Sequence, residues 1–337
     1  MCFRSRLMVG IMCISAAAAL LSGCGSTESS APKDIVKVEE NAGDTSAASE
    51  ENASEETAAP EGSADAQEAA DVQESPDTEA DTAAEDSNKG DITIEEQVLV
   101  EQDGIKITAL DYVRDDIWGD GIKVLIENDS EQDVMVGCDA LIVNDYMIDD
   151  LFGSEVAAGK KANDVIYLSS SELKAAGIDT VGRIEIYFHA FDADSYDEIF
   201  NTDCVTIETS AIDSMDTKAN DEGTELYNEG GIRIIGKTVD ENSFWGTAIL
   251  LYIENESGRN VGINVDDMSV DGFMLTPYFS TTVYDGKKAV DDITLMSSEL
   301  EENGITSIGE VELKFHIYDN DSYDTIADSD PITFSAQ

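Results

Sequence analysis

Moved by 127 residues, this chain lies on itself without a gap, residues 104–210 on 231–337, and 41 of the 107 overlaid positions are identical. Gly104-Ile105-Lys106-Ile107 meets Gly231-Ile232-Arg233-Ile234, and Ile126-Glu127-Asn128 meets Ile253-Glu254-Asn255. Gly159-Lys160-Lys161-Ala162 meets Gly286-Lys287-Lys288-Ala289, and Asp194-Ser195-Tyr196-Asp197 meets Asp321-Ser322-Tyr323-Asp324. A duplication constrains the fold more than any composition does, because each copy must form the same unit. It predicts two domains, repeat 1 over 96–210 and repeat 2 over 224–337, with a polar linker over 211–223.

Each copy reads as β. Ile122, Val124 and Ile126 alternate with Lys123, Leu125 and Glu127, the period of a strand with one buried face. Ile184, Ile186, Phe188 and Ala190 repeat that pattern, as do Val311, Leu313, Phe315 and Ile317. Asn144-Asp145 and Asp271-Gly272 lie between apolar runs and predict two-residue hairpin turns. One short helix interrupts the strands of each copy: Ser169-Ser170-Ser171-Glu172 offers its start and Gly177 its stop, and Ser297-Ser298-Glu299 and Gly304 repeat them. Seven or eight short strands per copy fit two tandem immunoglobulin-like β-sandwiches, with a jelly roll or small barrel as the alternative. Trp118 and Trp245 are candidates for the Trp that such sandwiches bury.

Ahead of the repeats stand two segments of different chemistry. Arg4 and Arg6 precede an apolar run from Leu7 to about Leu21, too short for the roughly 20 residues a bilayer crossing needs. Residues 1–23 therefore read as a signal peptide. Leu21-Ser22-Gly23-Cys24 resembles the lipobox of bacterial lipoproteins, which implies that the Cys24 thiol is diacylglycerylated and becomes the mature N-terminus. The expected location is the extracytoplasmic face of the cell membrane, held by lipid and not by a span. Residues 24–95 are Ala, Ser, Thr, Glu and Asp with almost no large apolar side chain, and predict a disordered acidic tether. As a coil of ~70 residues it would reach about 45–50 Å.

Lipobox, acidic tether and the Ile-Glu-Asn-x-Ser strand end together resemble Gram-positive bacterial lipoproteins carrying tandem immunoglobulin-like domains of uncharacterised function. That resemblance covers essentially the whole chain and implies no catalytic or binding residues.

Chemistry-bearing motifs are scarce. Nineteen Lys and Arg face 73 Asp and Glu, a net charge of −54, which excludes the basic stripe that nucleic acid requires. No nucleophile elbow, zinc helix, Cys-x-x-Cys pair or phosphate loop is present, and the two histidines, His189 and His316, fall on the solvent face of their strands. The expectation is a protein that is not an enzyme and needs no cofactor. Carboxylates remain. Asp192, Asp194 and Asp197 with Asp203 are mirrored by Asp319, Asp321 and Asp324 with Asp330. Two readings stay open for them, a calcium site or Asp-rich turns bonding their own backbone. Cys138 and Cys204 are either a disulfide or two separate thiols. The Lys160-Lys161 and Lys287-Lys288 doublets are expected to tip hairpins or guard exposed edges. Tyr278-Phe279, Phe244-Trp245, Leu151-Phe152 and Ile117-Trp118 are either core or a binding platform. Three functional readings follow: lipid-anchored modules binding a surface protein, peptide or glycan; an envelope spacer with a cation-binding acidic surface; and, last, a solute-binding or enzymatic component.

Overall fold

The computed structural model describes residues 32–38, 92–115, 119–149, 152–241, 243 and 246–336. Cys24, Trp118 and Trp245 lie outside these residues, as do the signal peptide and most of the predicted tether. The described chain is all-β apart from short helical turns. In chain order it begins with β1 (Lys33–Lys37). Repeat 1 then contributes β2 (Gln97–Gln102), β3 (Ile105–Asp115), β4 (Gly119–Asn128), β5 (Val134–Val143), β6 (Tyr146–Ile148), β7 (Gly153–Val156), β8 (Lys160–Tyr167), α1 (Ser170–Ala176), β9 (Arg183–Asp192), β10 (Glu198–Asn201) and β11 (Val205–Glu208). Repeat 2 contributes β12 (Thr224–Glu229), β13 (Ile232–Asp240), β14 (Gly246–Asn255), β15 (Val261–Val270), β16 (Phe273–Met274), β17 (Ser280–Val283), β18 (Lys287–Met296), α2 (Ser297–Glu302), β19 (Glu310–Asp319), β20 (Thr325–Asp328) and β21 (Ile332–Ala336).

The expected alternation sets the inward faces: Ile122, Val124 and Ile126 of β4 are fully buried, and so are Val311, Leu313, Phe315 and Ile317 of β19. The hairpin turns form as the sequence predicts. Asn144 and Asp145 both take positive φ, at 49° and 71°, and Asp271 and Gly272 take 51° and 84°, the pair of left-handed residues a tight twisted hairpin needs. Both helices form, but neither makes a side-chain cap. The acid expected to close the capping box instead reaches outward: Glu172 accepts the Asp149 amide at 2.7 Å, and Glu299 accepts that of Thr276 at 3.0 Å.

In repeat 1, β2-β3-β4-β8 form a separate four-stranded sheet, while β5 pairs with β6, β7 and β9, and β9 with β10 and β11. Repeat 2 repeats both sets as β12-β13-β14-β18 and as β15 with β16, β17 and β19, and β19 with β20 and β21. Each repeat has one large core cluster drawing on both of its strand sets.

Two features bear on the expected tether and pair of domains. First, residues 33–37, expected in the tether, form a strand of repeat 2. β1 pairs with β13 on one side and with β21 on the other, placing Ile35 opposite Ala336 with 2% of its surface exposed. In repeat 1 the corresponding place is held by Ile94, bridged to Thr209. Overlaying the copies puts Asp221 of the linker where Ile94 stands, so repeat 2 lacks its own apolar residue there and takes Ile35 from far upstream. Second, the repeats are joined edge to edge. β6 of repeat 1 runs parallel to β18 of repeat 2, with Tyr146 opposite Lys288 and Met147 opposite Ala289. Ile235, Tyr252 and Val290 of repeat 2 pack into the core cluster of repeat 1, and residues 32–337 form one compact unit.

Candidate functional site

The junction between the repeats is held by a small set of unlike contacts. The Lys288 amide donates to the Asp145 carbonyl at 2.9 Å. Lys287, expected at an exposed tip, has only 16% of its side chain exposed and lies 2.5 Å from Glu185 and 3.1 Å from Asp145. Burial alone would pull its pKa down, but the hydrogen bonds to the two carboxylates outweigh that and hold it above the ordinary lysine value. Tyr146 meets Tyr252 edge to face at 6.4 Å, Tyr187 meets Tyr284 at 5.0 Å, and the Lys288 ammonium lies over the Tyr146 ring at 5.8 Å.

Beside this junction opens a groove of about 630 Å³ with walls from both repeats. Five carboxylates line it: Asp139 on β5, Asp149 after β6, Glu172 on α1, and Asp291 and Asp292 on β18; its lining includes no Lys or Arg. Burial pushes Glu172 up to about 7, with the Asp149 charge adding to it against the hydrogen bond from the Asp149 amide. Burial likewise pushes Asp291 up to about 6, with the charges of Asp149 and Asp292 adding. Asp149 is raised for the same two reasons, burial first and Asp292 second. Acids crowded in a partly dry cleft hold protons that solvated acids would release. A second hollow of about 710 Å³ shares Asp149, Ser171 and Glu172 with the groove, with Phe152 and Tyr167 in its wall.

The Asp clusters singled out from the sequence are turns of a different kind. Asp192 Oδ1 accepts the amides of Asp194 and Ser195 at 3.0 and 2.8 Å, and Ser195 Oγ donates to Asp197. Asp319 does the same with Asp321 and Ser322 at 3.1 and 3.0 Å. These bonds hold both aspartates below the usual carboxylate range, and Tyr196 and Tyr323 close the turns at φ 60°. Asp203 and Asp330 are exposed on later loops. Among the described residues no group of three or more His, Cys, Asp or Glu is placed to hold a metal ion.

No disulfide joins Cys138 and Cys204. Cys138 lies opposite Phe188 at the β5 bulge, whereas the Cys204 sulfur faces Glu185 at 3.8 Å. The histidines are half-buried and each is tied to an aspartate, His189 Nδ1 to Asp139 at 2.8 Å and His316 Nδ1 to Asp328 at 2.6 Å. His316 stacks on Tyr318, which stacks on Tyr323. Of the aromatic pairs, Phe279 packs against the core of repeat 2 and Tyr278 is exposed, while 117–118, 151 and 244–245 lie outside the described residues.

Sequence reasoning missed the five groove acids as a set, because Asp139, Asp149 and Glu172 are brought to Asp291 and Asp292 only by the junction. Among the described residues no helix is long and apolar enough to cross a membrane. No family model matches this chain, and no curated protein matches it. Among solved structures the YadV chaperone matches over 64% of this chain and 92% of its own, at 11% identity and a TM-score of 0.19. A likeness that low says nothing of how this chain folds or acts.

Proposed function

We propose that this chain is a lipid-anchored, non-catalytic binding protein of the extracytoplasmic membrane face, built from two immunoglobulin-like sandwiches, whose groove takes a positively charged segment of a surface protein or peptide. The observation that carries this reading is the groove itself, with Asp139, Asp149 and Glu172 from one repeat and Asp291 and Asp292 from the other, and no Lys or Arg in its lining. Acids gathered in a cleft focus a negative potential that a Lys or Arg side chain neutralises, and the pairing gains from the partial exclusion of water. Membrane anchoring rests on the Leu21-Ser22-Gly23-Cys24 segment. Docking of β1 supports a close-held arrangement, since only residues 25–32 separate Cys24 from it. Nine steps of extended chain reach at most about 30 Å.

The test is calorimetric titration of the full chain with a short Lys- and Arg-rich peptide, in parallel with a paired Asp149→Asn and Asp291→Asn variant. The reading requires saturable binding that weakens at least about tenfold in the variant, a loss of about 1.4 kcal/mol. Binding equal in both proteins would assign the interaction to the diffuse surface charge and reject the groove.

A further inference from the structure

The junction between the repeats is one contact made between two unlike surfaces, the β6 hairpin of repeat 1 and the β18 edge of repeat 2. Because the chain is a duplication, each surface has a counterpart on the other repeat. Advancing β6 by 127 residues gives β16, and moving β18 back by 127 gives β8. Neither has a second strand partner among the described residues: β16 pairs only with β15, and β8 only with β4.

The counterparts keep much of the chemistry. Tyr146-Met147-Ile148 becomes Phe273-Met274-Leu275, and Lys287-Lys288-Ala289 becomes Lys160-Lys161-Ala162. Glu185, which holds Lys287, becomes Glu312. Exposure separates the two members of each pair. Met147 packs against the core of repeat 2, whereas Met274 is 65% exposed and Phe273 47%. With Tyr278 just after the hairpin, these make three of the eight large hydrophobic side chains exposed among the described residues, gathered within residues 273–278. Lys160 and Lys161 are exposed on β8.

We infer that one copy of this chain binds the next head to tail, the β16 hairpin of one pairing in parallel with the β8 edge of the other. The internal register transfers directly: Phe273 opposite Lys161, Met274 opposite Ala162, the Lys161 ammonium over the Phe273 ring, and Lys160 against Glu312. A contact between unlike surfaces leaves one of each unfilled at the ends, so it propagates into a row or closes a ring. The external contact is the weaker version of the internal one. Asp145 is replaced by Gly272, and the outer face of β4 presents Lys123 and Leu125 where β14 presents Leu250 and Tyr252. The internal pair also gains from a linker that holds the partners at an effective concentration of order mM, which separate chains lack.

Sedimentation velocity of the full chain in detergent, up to about 1 mM to match that effective concentration, reads the association. The expected result is a rising series of oligomers, with Met274→Glu and Lys160→Glu each weakening it at least tenfold. The substituted side chains are exposed, so the variants keep the fold of the parent. Combining Lys160→Glu with Glu312→Lys should restore association by reversing the pair. In a Cys204→Ser background, an equimolar mixture of an Ala162→Cys chain and a Met274→Cys chain should cross-link on mild oxidation far more than either alone. A chain that stays monomeric over that range, or oligomers indifferent to both single substitutions, would overturn the inference.

Discussion

Asn128 and Asn255 stand at the same place in each copy, fully buried at the end of β4 and β14, and they explain why the Ile-Glu-Asn-x-Ser run recurs. Asn128 Nδ2 donates to the carbonyls of Gln132 and Val156 at 2.9 and 2.8 Å, and its Oδ1 accepts the Ser130 amide at 2.9 Å. Asn255 makes the same three bonds to Arg259, Val283 and Ser257. The motif is a knot tying a strand end to the loop after it and to β7 or β17. Asn128→Ala strands two carbonyls and an amide, and should cost roughly 1–3 kcal/mol. A urea titration with unchanged slope and a lower midpoint would register that loss; an unchanged midpoint would mean that water replaces the side chain at no cost. Glu172 makes a different prediction. Its folded pKa of about 7 lies above its ordinary 4.5, so the folded state holds a proton that the unfolded state has already released. Stability from this group is therefore greatest below about pH 4.5 and falls as pH rises to about 7. Asp291, raised from 3.8 to about 6, adds to the fall in the lower part of that window. Glu172→Gln should flatten the decline in melting temperature between pH 5 and 7, and an equal decline in both proteins would place its origin elsewhere.

At the scale of elements, the strands within each copy were legible because alternation and turn residues act locally. Ile184 to Ala190 needs only its own period, and Asn144-Asp145 only the φ angles those residues tolerate. β1 was not legible as a strand, since five residues in an acidic tract carry little periodicity. The available signal was Ile35-Val36-Lys37-Val38, an apolar run in a segment otherwise nearly without one, set against Asp221 where repeat 1 has Ile94. What made those residues a strand was a vacancy in another part of the chain, which no local pattern reports. Ile35 should then behave as a core residue of repeat 2. Ile35→Ala should destabilise that repeat by about 2–4 kcal/mol, by analogy with other large-to-small core changes. Hydrogen exchange reads it directly: amides of β13 and β21 should lose the most protection and those of β3 and β4 less. Unchanged protection at β13 and β21 would mean that β1 contributes nothing to the fold.

The molecule as a whole depends on an asymmetry between its copies. Repeat 1 has Lys123 and Leu125 on the outer face of β4, but repeat 2 has Leu250 and Tyr252 at those places, so β14 reads apolar on both faces. A strand apolar on both faces is one covered on both, and in repeat 2 the cover is repeat 1. The candidate groove was hidden for the same reason, because its acids converge only after the copies dock. Lys287 is the residue on which that docking turns. Its ammonium, from repeat 2, is held by Asp145 and Glu185, two carboxylates of repeat 1 that would otherwise repel each other; Arg183 lies near Asp145 as well, at 3.7 Å. Removing one partner of a buried ionic cluster leaves a charge uncompensated, here chiefly that of Glu185, and Lys287→Ala should cost on the order of 3 kcal/mol, at the low end of the range for buried pairs. The cost falls on the junction, since Lys287 lies at the start of β18 and outside both core clusters. Scanning calorimetry of the parent should give a single cooperative transition over residues 32–337, with the two repeats melting together. In the variant the transition should broaden or split as the repeats begin to unfold separately, with the calorimetric enthalpy exceeding the van't Hoff value. One sharp transition at a merely lower temperature would mean that the apolar contacts of Tyr146, Tyr252 and Val290 suffice to couple the repeats without the ion pair.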